Sequence, residues 1–434
     1  MKRSITEKLI TWKESTTRKP LIVIGPRMIG KTYSLREFGK NHYTKTIYCD
    51  FENNKLLTRI FEVDSNVRRI IKKISELMGI AITKNDTLII FDEIGSCPKA
   101  LNLLKKFTSL EPEIHIVASS SCNLNIIRNN HQLTFQDNDA HFIQMQPLDF
   151  GEFLRVTGNV LLLNHIQNSY LELTPVILPI HNKAFELYRI YLITGGYPCL
   201  VEYYIREGDL EELRIKQKSL SDAHIIDLVK HTTRANLNKS LDLYESIGIQ
   251  LHSEFFEFQH SNIQNEIRAK EYLQAFEFLK ATGAILESRR MRVLKPSGEI
   301  DTDPSAFKIY YSDIGFLTMQ LSQSIDSIIQ NTNITFRQYA LIEENFVAQQ
   351  LTANGFELHY WVSHTRNAHI PFIIKIGSSL IPVEIKTYIY DKSKNLRKYM
   401  DLFHPEYGIR ITTENIKTAF NIRSIPIYAT FCMK

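Results

Sequence analysis

Residues 25 to 32 read Gly25, Pro26, Arg27, Met28, Ile29, Gly30, Lys31 and Thr32, matching the spacing G-x-x-x-x-G-K-[ST] at every fixed position. Each fixed residue answers a physical need. Gly25 and Gly30 permit backbone angles at which successive amides turn inward on phosphate oxygens, and the N-terminus of a following helix adds the positive end of its dipole. Lys31 is the point charge for β and γ phosphates, and Thr32 offers a small hard oxygen to magnesium. The stretch expected to bind nucleotide runs from Gly25 through Tyr33.

A second chemical element is Leu88 to Glu93, LIIFDE, in which four apolar residues precede two carboxylates. In open α/β sheets ligands gather at the carboxyl ends of strands. Asp92 is therefore expected to orient magnesium through its water shell. Glu93, facing elsewhere, is expected to polarise a water for attack on the γ-phosphate. Two acids closing a strand can equally be solvated surface; their pairing with the Gly25 to Thr32 block favours chemistry. A third run, IVASSS, ends in Ser119, Ser120 and Ser121, one of which is a candidate sensor of the γ-phosphate, the alternative being a loop capped by serines. No local pattern identifies an arginine finger; Arg128 is one candidate and a charge donated across a subunit contact the other.

These groups need a frame. PLIVIGP reads as a buried strand entering a tight loop, and Lys31 to Lys40 as a half-buried helix. Further apolar runs at KTIYCDF, TLIIFDE and IHIVASS are continuous rather than alternating, the mark of a parallel sheet covered on both faces. The first 155 residues are thus expected to form a doubly wound α/β domain of the P-loop type. After PLDFGEFLR, heptad-like leucine and isoleucine spacing from Leu210 to Leu251 points to helices, so residues 156–238 are expected to form a helical lid or insert. GGYP, Gly195 to Pro198, reads as a turn between helices. Residues 239–325 resolve into helices and a hairpin, AILESRRMRVLK and FKIYYSD, separated by PSGEIDTDPS, which suggests a winged-helix-like domain. From residue 326 a helical stretch, EENFVAQQLTANG, leads into ELHYWVS, IPFIIKI and SLIPVEIKTY, a separate C-terminal α/β module.

Composition sets the outer bounds. The 434 residues are 44% hydrophobic and 23% charged, too many for one core of usual size. Scarce glycine and 11% aromatics exclude collagen-like and wholly disordered chains. A net charge of +5 neither demands nor forbids a polyanionic partner. The five cysteines are scattered without CxxC spacing, so neither a disulfide framework nor a zinc knuckle is indicated, and a cytoplasmic location is expected. No apolar run approaches membrane-spanning length.

Taken in order, RKPLIVIGPRMIGKT, LIIFDEIG, the serine strand, MQPLDFGEFL, YLITGGYPCLVEYY, FKIYYSDIGFL, LIEENFVAQQL and IPVEIK resemble a prokaryotic family of AAA-type P-loop ATPases. Members of that family carry a C-terminal domain of uncharacterised (DUF) type similar to PD-(D/E)xK restriction endonucleases. The resemblance covers nearly the whole chain. It implies an ATP-binding domain over residues 1–155, a helical and winged-helix-like middle and a nuclease-like terminal module. Two departures matter. Ala140 and His141 stand where the family tends to show Gly-Arg, and His369 and Pro371 replace the acids of the usual Glu-x-Asp-Phe strand.

PD-(D/E)xK chemistry requires an acid on one strand and acid-x-lysine on the next. Glu384 and Lys386 share a face by the two-residue repeat, and Glu344 on the preceding helix supplies another carboxylate, giving a degenerate site of Glu344, Glu384 and Lys386. Pro371 marks its strand as an edge or a bulge. Three readings of VEIK stay open: an exposed face of an amphipathic strand, a cleaving site, or DNA binding without cleavage. From Trp361 to Lys434 seven lysines and four arginines face two aspartates and three glutamates, an excess of six positive charges. With Tyr388, Tyr390 and Tyr399 interleaved, such a face could hold phosphates and stack on bases. Arg289, Arg290 and Arg292 on the expected wing are further phosphate candidates.

The expected function is magnesium-dependent ATP binding and slow hydrolysis, with ATP and Mg2+ as cofactors, coupled to movement of C-terminal modules that bind DNA or protein, in a chain that can form homo-oligomers. A nucleotide-switched DNA-binding regulator without turnover and an ATP-regulated nuclease are the alternatives.

Overall fold

The structure is a computed structural model that describes residues 3–121, 134–229, 234–250, 269–294, 300–365, 367–386 and 393–434. The chain divides into two compact units, residues 1–146 with 281–283, and residues 147–280 with 284–434.

In the first unit, strands β1 (Leu21–Ile24), β2 (Lys45–Asp50), β3 (Thr87–Asp92), β4 (His115–Ser120) and β5 (His141–Gln144) form one parallel sheet. Their order is β2-β3-β4-β1-β5. The continuous apolar runs behave as expected of central strands: Leu21, Ile22, Val23, Leu88, Ile89, Ile90 and Phe91 are buried. At roughly 1.5–3 kcal/mol for each large apolar side chain taken from water, this burial fixes the strands far more firmly than turn preferences do. One face carries the helices Lys55–Val63, Val67–Met78 and Pro98–Leu110, whose Leu57, Phe61, Ile70, Ile74, Leu104 and Phe107 close a single core with Ile89, Phe91 and Ile116. β5, which has no apolar run to announce it, is an exposed edge strand that opens at His141.

The second unit begins with helices, among them Phe150–Val156, Leu178–Thr194, Pro198–Glu207 and Leu210–Val229. PLDFGEFLR, the end of the expected nucleotide domain, packs within this unit. Phe150 packs against Tyr191 with ring centroids 5.6 Å apart, and Tyr188 against Phe346 at 4.9 Å. GGYP is the expected turn, and it is tied down: the Gly196 amide donates to Asp313 Oδ2 at 2.6 Å and the Gly315 amide to Oδ1 at 3.0 Å. Burial outweighs those bonds and pushes the Asp313 carboxyl up to about 6.

The sheet of this unit joins strands from both sides of the expected division. β6 (Ile285–Leu294) and β7 (Ile300–Tyr311) are indeed a hairpin, but β6 also pairs in parallel with β8 (Leu358–Val362). With β9 (His369–Ile376), β10 (Ser379–Lys386), β11 (Gly408–Thr412), β12 (Lys417–Ala419) and β13 (Ile422–Pro426), they make one eight-stranded mixed sheet in the order β12-β13-β11-β10-β9-β8-β6-β7. The expected boundary between residues 325 and 326 falls between β7 and β8 of this sheet, in which the hairpin forms one flank. The separating turn is also shorter than read from sequence: residues 300–305 are strand, and Pro304 is tolerated because β7 is the edge. Pro371 lies in an interior strand, where the register between β8 and β9 slips around it; of the two expectations for this proline, the bulge holds and the edge does not.

Candidate functional site

The strand–loop–helix unit places the Gly25 to Thr32 loop between β1 and the helix Lys31–His42. Two glycines are required here. A side chain at Gly25 would meet the Met145 carbonyl oxygen at 2.2 Å, and Gly30 caps the helix at φ +91°, where side chains are strained. Arg3 braces the loop from outside, donating to Ile29 O and Gln146 O at 2.8 Å each. Arg27 pairs with Glu52 at 3.0 Å, while Met28 and Tyr33 are exposed.

Lys31 is only 5% exposed and turns into the loop. Its Nζ donates to the Gly25 carbonyl at 2.9 Å, the Pro26 carbonyl at 2.8 Å and Ser121 Oγ at 3.1 Å. Glu93 Oε1 stands 4.0 Å away, at the limit of an ion pair.

The two acids are separated as expected of neighbours at a strand end. Asp92, buried, accepts from Thr32 Oγ1 at 3.0 and 2.9 Å and from Tyr48 OH at 2.6 Å, and also from Ser119 Oγ. Burial, then the bond to Asp92, raises the Tyr48 phenol above its usual range, so it remains a donor. Glu93 leaves the strand in the left-handed region at φ +48° and turns toward Ser121, whose amide donates to Oε2 at 3.0 Å and whose hydroxyl donates to Oε1. Ser121 thus bridges Lys31 and Glu93. The Glu93 amide donates to Ser119 Oγ at 3.0 Å, so Ser119 links the backbone of one acid to the side chain of the other. Ser120 contributes its carbonyl, which accepts from the Gly25 amide at 3.3 Å.

Sequence reasoning brings together Lys31, Thr32, Asp92, Glu93, Ser119 and Ser121, and all six meet. It misses Tyr48 and Arg3. The signal for Tyr48 is its strand: Asp50 of β2 is in register with Asp92, which sets Tyr48 two residues before the acids. Arg3 carries no such signal. Arg128 lies outside the described residues. Thr32 and Asp92 present hard oxygens of a hydroxyl and a carboxylate side by side, a donor pair suited to a magnesium ion that keeps part of its water shell.

The second candidate cluster is in the C-terminal sheet. Lys308 is fully buried, 0% exposed, and its Nζ donates to Glu344 Oε1 at 2.8 Å and lies 3.0 Å from His369 Nε2. Tyr310 OH donates to the same Glu344 oxygen at 2.7 Å, and the Tyr360 ring lies 5.0 Å from the ammonium. Burial, with the charges of Lys308 and Lys386, keeps His369 neutral by lowering its pKa well below the usual value. Glu384 and Lys386 do share a face, with Oε1 and Nζ 3.6 Å apart, but Glu384 is only 2% exposed. That excludes the reading of VEIK as an exposed face, because a two-residue repeat cannot tell a solvent face from a second buried one. Among the described residues no group of three or more His, Cys, Asp or Glu is placed to hold a metal ion.

The expected phosphate contacts are otherwise engaged. Arg289 pairs with Glu287 at 2.9 Å, and Arg290 and Arg292 pair with Asp303 at 2.9 and 3.1 Å. Tyr399 is buried against Trp361, ring centroids 5.3 Å apart, and presents no ring to a base. Tyr388 and Tyr390 lie outside the described residues.

An AAA domain model matches residues 17–154, and models of two domains of unknown function, DUF8612 and DUF4143, match residues 185–327 and 341–430. The N-terminal unit is accordingly a P-loop ATPase-like domain of the AAA type, followed by two domains that those models leave without an assigned role. Among solved structures the chain is similar to the Walker-type ATPase PABY2304 of Pyrococcus abyssi, with 14% identity, TM-score 0.47, and 73% of this chain and 94% of that one covered. It is also similar to the ORC2 protein of Aeropyrum pernix in ADPNP–ADP complexes, with 12% identity, TM-score 0.33, and 78% and 90% covered. The ORC1 protein of Aeropyrum pernix in complex with DNA shares 12% identity, TM-score 0.29, with 76% and 90% covered. No curated protein matches the chain. Among the described residues no helix is long and apolar enough to cross a membrane.

Proposed function

We propose that the protein binds magnesium-bound ATP in the Gly25 to Thr32 loop and hydrolyses it slowly. The observation that carries this reading is Lys31, folded into its own loop on two backbone carbonyls and Ser121. Phosphate oxygens are stronger acceptors than those carbonyls, so an arriving β,γ-phosphate exchanges for them at little cost. Thr32 and Asp92 would hold magnesium, which when bound neutralises charge on the terminal phosphates.

Glu93 is the base in this reading. Both of its oxygens accept from Ser121, the backbone amide on one and the hydroxyl on the other. Drawing Lys31 away from Ser121 loosens that hold, which makes turnover conditional on a correctly seated triphosphate. The same restraint on Glu93 supports a second reading, in which bound nucleotide acts as a switch and turnover is negligible. In either case the partner is proposed to be DNA or a protein that meets the second unit, the DNA option resting on the positive excess from residue 361 to the end. A cytoplasmic setting and assembly of several copies, which would supply an arginine in trans, belong to the same proposal.

The test is phosphate release by the full chain and by Glu93→Gln, with nucleotide affinity measured in parallel and DNA present or absent. The hydrolytic reading expects unchanged affinity and a loss of roughly 100-fold or more in turnover. Equal turnover by the variant removes Glu93 from the base role. Binding without turnover in the parent protein favours the switch.

A further inference from the structure

The buried cluster of the C-terminal sheet is not used by the nucleotide chemistry. Resemblance to metal-dependent nucleases would ask Glu344 and Glu384 to hold a divalent cation. The side chains disagree. Lys308 donates directly to Glu344 at 2.8 Å, so that carboxylate already holds an ammonium, while Lys386 stands from Glu384 at ion-pair and not hydrogen-bond distance, 3.6 Å. Where an acid was expected, β9 presents His369, in contact with Lys308, and Pro371, which has no ligating atom in its side chain.

We propose that Lys308 is the resident cation of this site, supplying from the β6–β7 hairpin the positive charge a divalent ion would supply, so that the site takes no divalent cation. The geometry meets the ammonium's needs. One donor is met by Glu344, one by His369, and the Tyr360 face lies against the charge. Tyr310, two residues along the same strand face, gives the shared Glu344 oxygen a second donor. A buried ion pair tolerates removal of both partners far better than removal of one, because a lone partner is left charged without compensation. The hairpin is therefore a chemical part of the sheet it flanks: Lys308 lies within residues 185–327 and Glu344 within 341–430, the spans matched by two different family models.

The experiment uses the full chain without nucleotide. Mn2+ titration followed by electron paramagnetic resonance is expected to reveal no site that is present in the parent protein and missing from the double variant Lys308→Met/Glu344→Gln; finding one overturns the proposal. Thermal unfolding supplies the second readout. Lys308→Met alone is expected to lower the midpoint of the C-terminal unit by roughly 10 °C or to prevent folding, and the double variant to recover at least half of that loss. A single variant as stable as the parent, or a double variant as damaged as the single, also overturns it. Neither readout depends on ATP, so failure here leaves the nucleotide reading intact.

Discussion

Two buried lysines in this molecule meet opposite arrangements of acid. Lys31 donates to two carbonyls and a hydroxyl, with Glu93 Oε1 4.0 Å away; Lys308 donates to Glu344 at 2.8 Å, and a phenol bonds the same oxygen. In both places a strand and a helix together bring a lysine, an acid and hydroxyls into contact. What differs is the acceptor that each ammonium holds at hydrogen-bond distance, neutral oxygens for Lys31 and a carboxylate for Lys308. An ammonium resting on neutral acceptors is a site for an anion from outside, whereas one saturated by a carboxylate is structure. Residue types alone therefore do not distinguish a binding site from an internal ion pair; the distance to the acid does.

The comparison can be broken most severely at Asp92, which organises the open site. Asp92→Asn replaces an acceptor that serves Thr32, Tyr48 and Ser119 at once, and is expected to reduce magnesium-dependent turnover by about 100-fold. Turnover within a few-fold of the parent would show that the hydroxyl network does not serve the metal.

Acidity sharpens the contrast between the two units. Burial, assisted by the charges of Arg18 and Lys13, pushes His115 of the first unit down to about 4 from its ordinary 6.5, so the unfolded chain takes up the proton first. Its contribution to stability is present above pH 6.5 and is lost as pH falls through 4. Asp313 of the second unit is raised from 3.8 to about 6, so its contribution is full below 3.8 and is lost as pH rises through 6. Each term is at most about 3 kcal/mol. Between pH 7 and pH 4 the two contributions run in opposite directions, and calorimetric scans of His115→Gln and Asp313→Asn should each flatten the slope of its own unit only. A slope untouched by its variant would assign the pH dependence to other groups.

The smallest effect concerns Ser121, which spans Lys31 and Glu93. Ser121→Ala removes one hydrogen bond from the base, about 1 kcal/mol, and is expected to raise basal turnover by roughly 5-fold. A fall instead would place the hydroxyl against the γ-phosphate, as a sensor, and not against the base.

The N-terminal unit was legible because its chemistry is local. The glycines, Lys31 and Thr32 lie within eight residues, and the apolar runs of β1, β3 and β4 declare themselves without reference to distant partners. β5 escaped, since an exposed edge strand has no burial to imprint on its composition. The hairpin is legible but its sheet partner is not, because β6 pairs with β8 across some 70 residues and a strand pattern does not name its neighbour. Lys308 was invisible for a related reason: in FKIYY it falls on the face that alternation assigns to water. The sign that this face is buried is Tyr310 beside it, together with the run Glu343, Glu344 and Asn345 on a buried helix.

Calorimetric titration of magnesium-bound ATP into the parent protein and Lys31→Ala tests most directly whether Lys31 exchanges its neutral acceptors for an outside anion. Tight binding by the parent and a loss of roughly 100-fold in the variant, equivalent to about 3 kcal/mol for a charge-assisted contact, is the expected result. Equal affinity in the two proteins would contradict it.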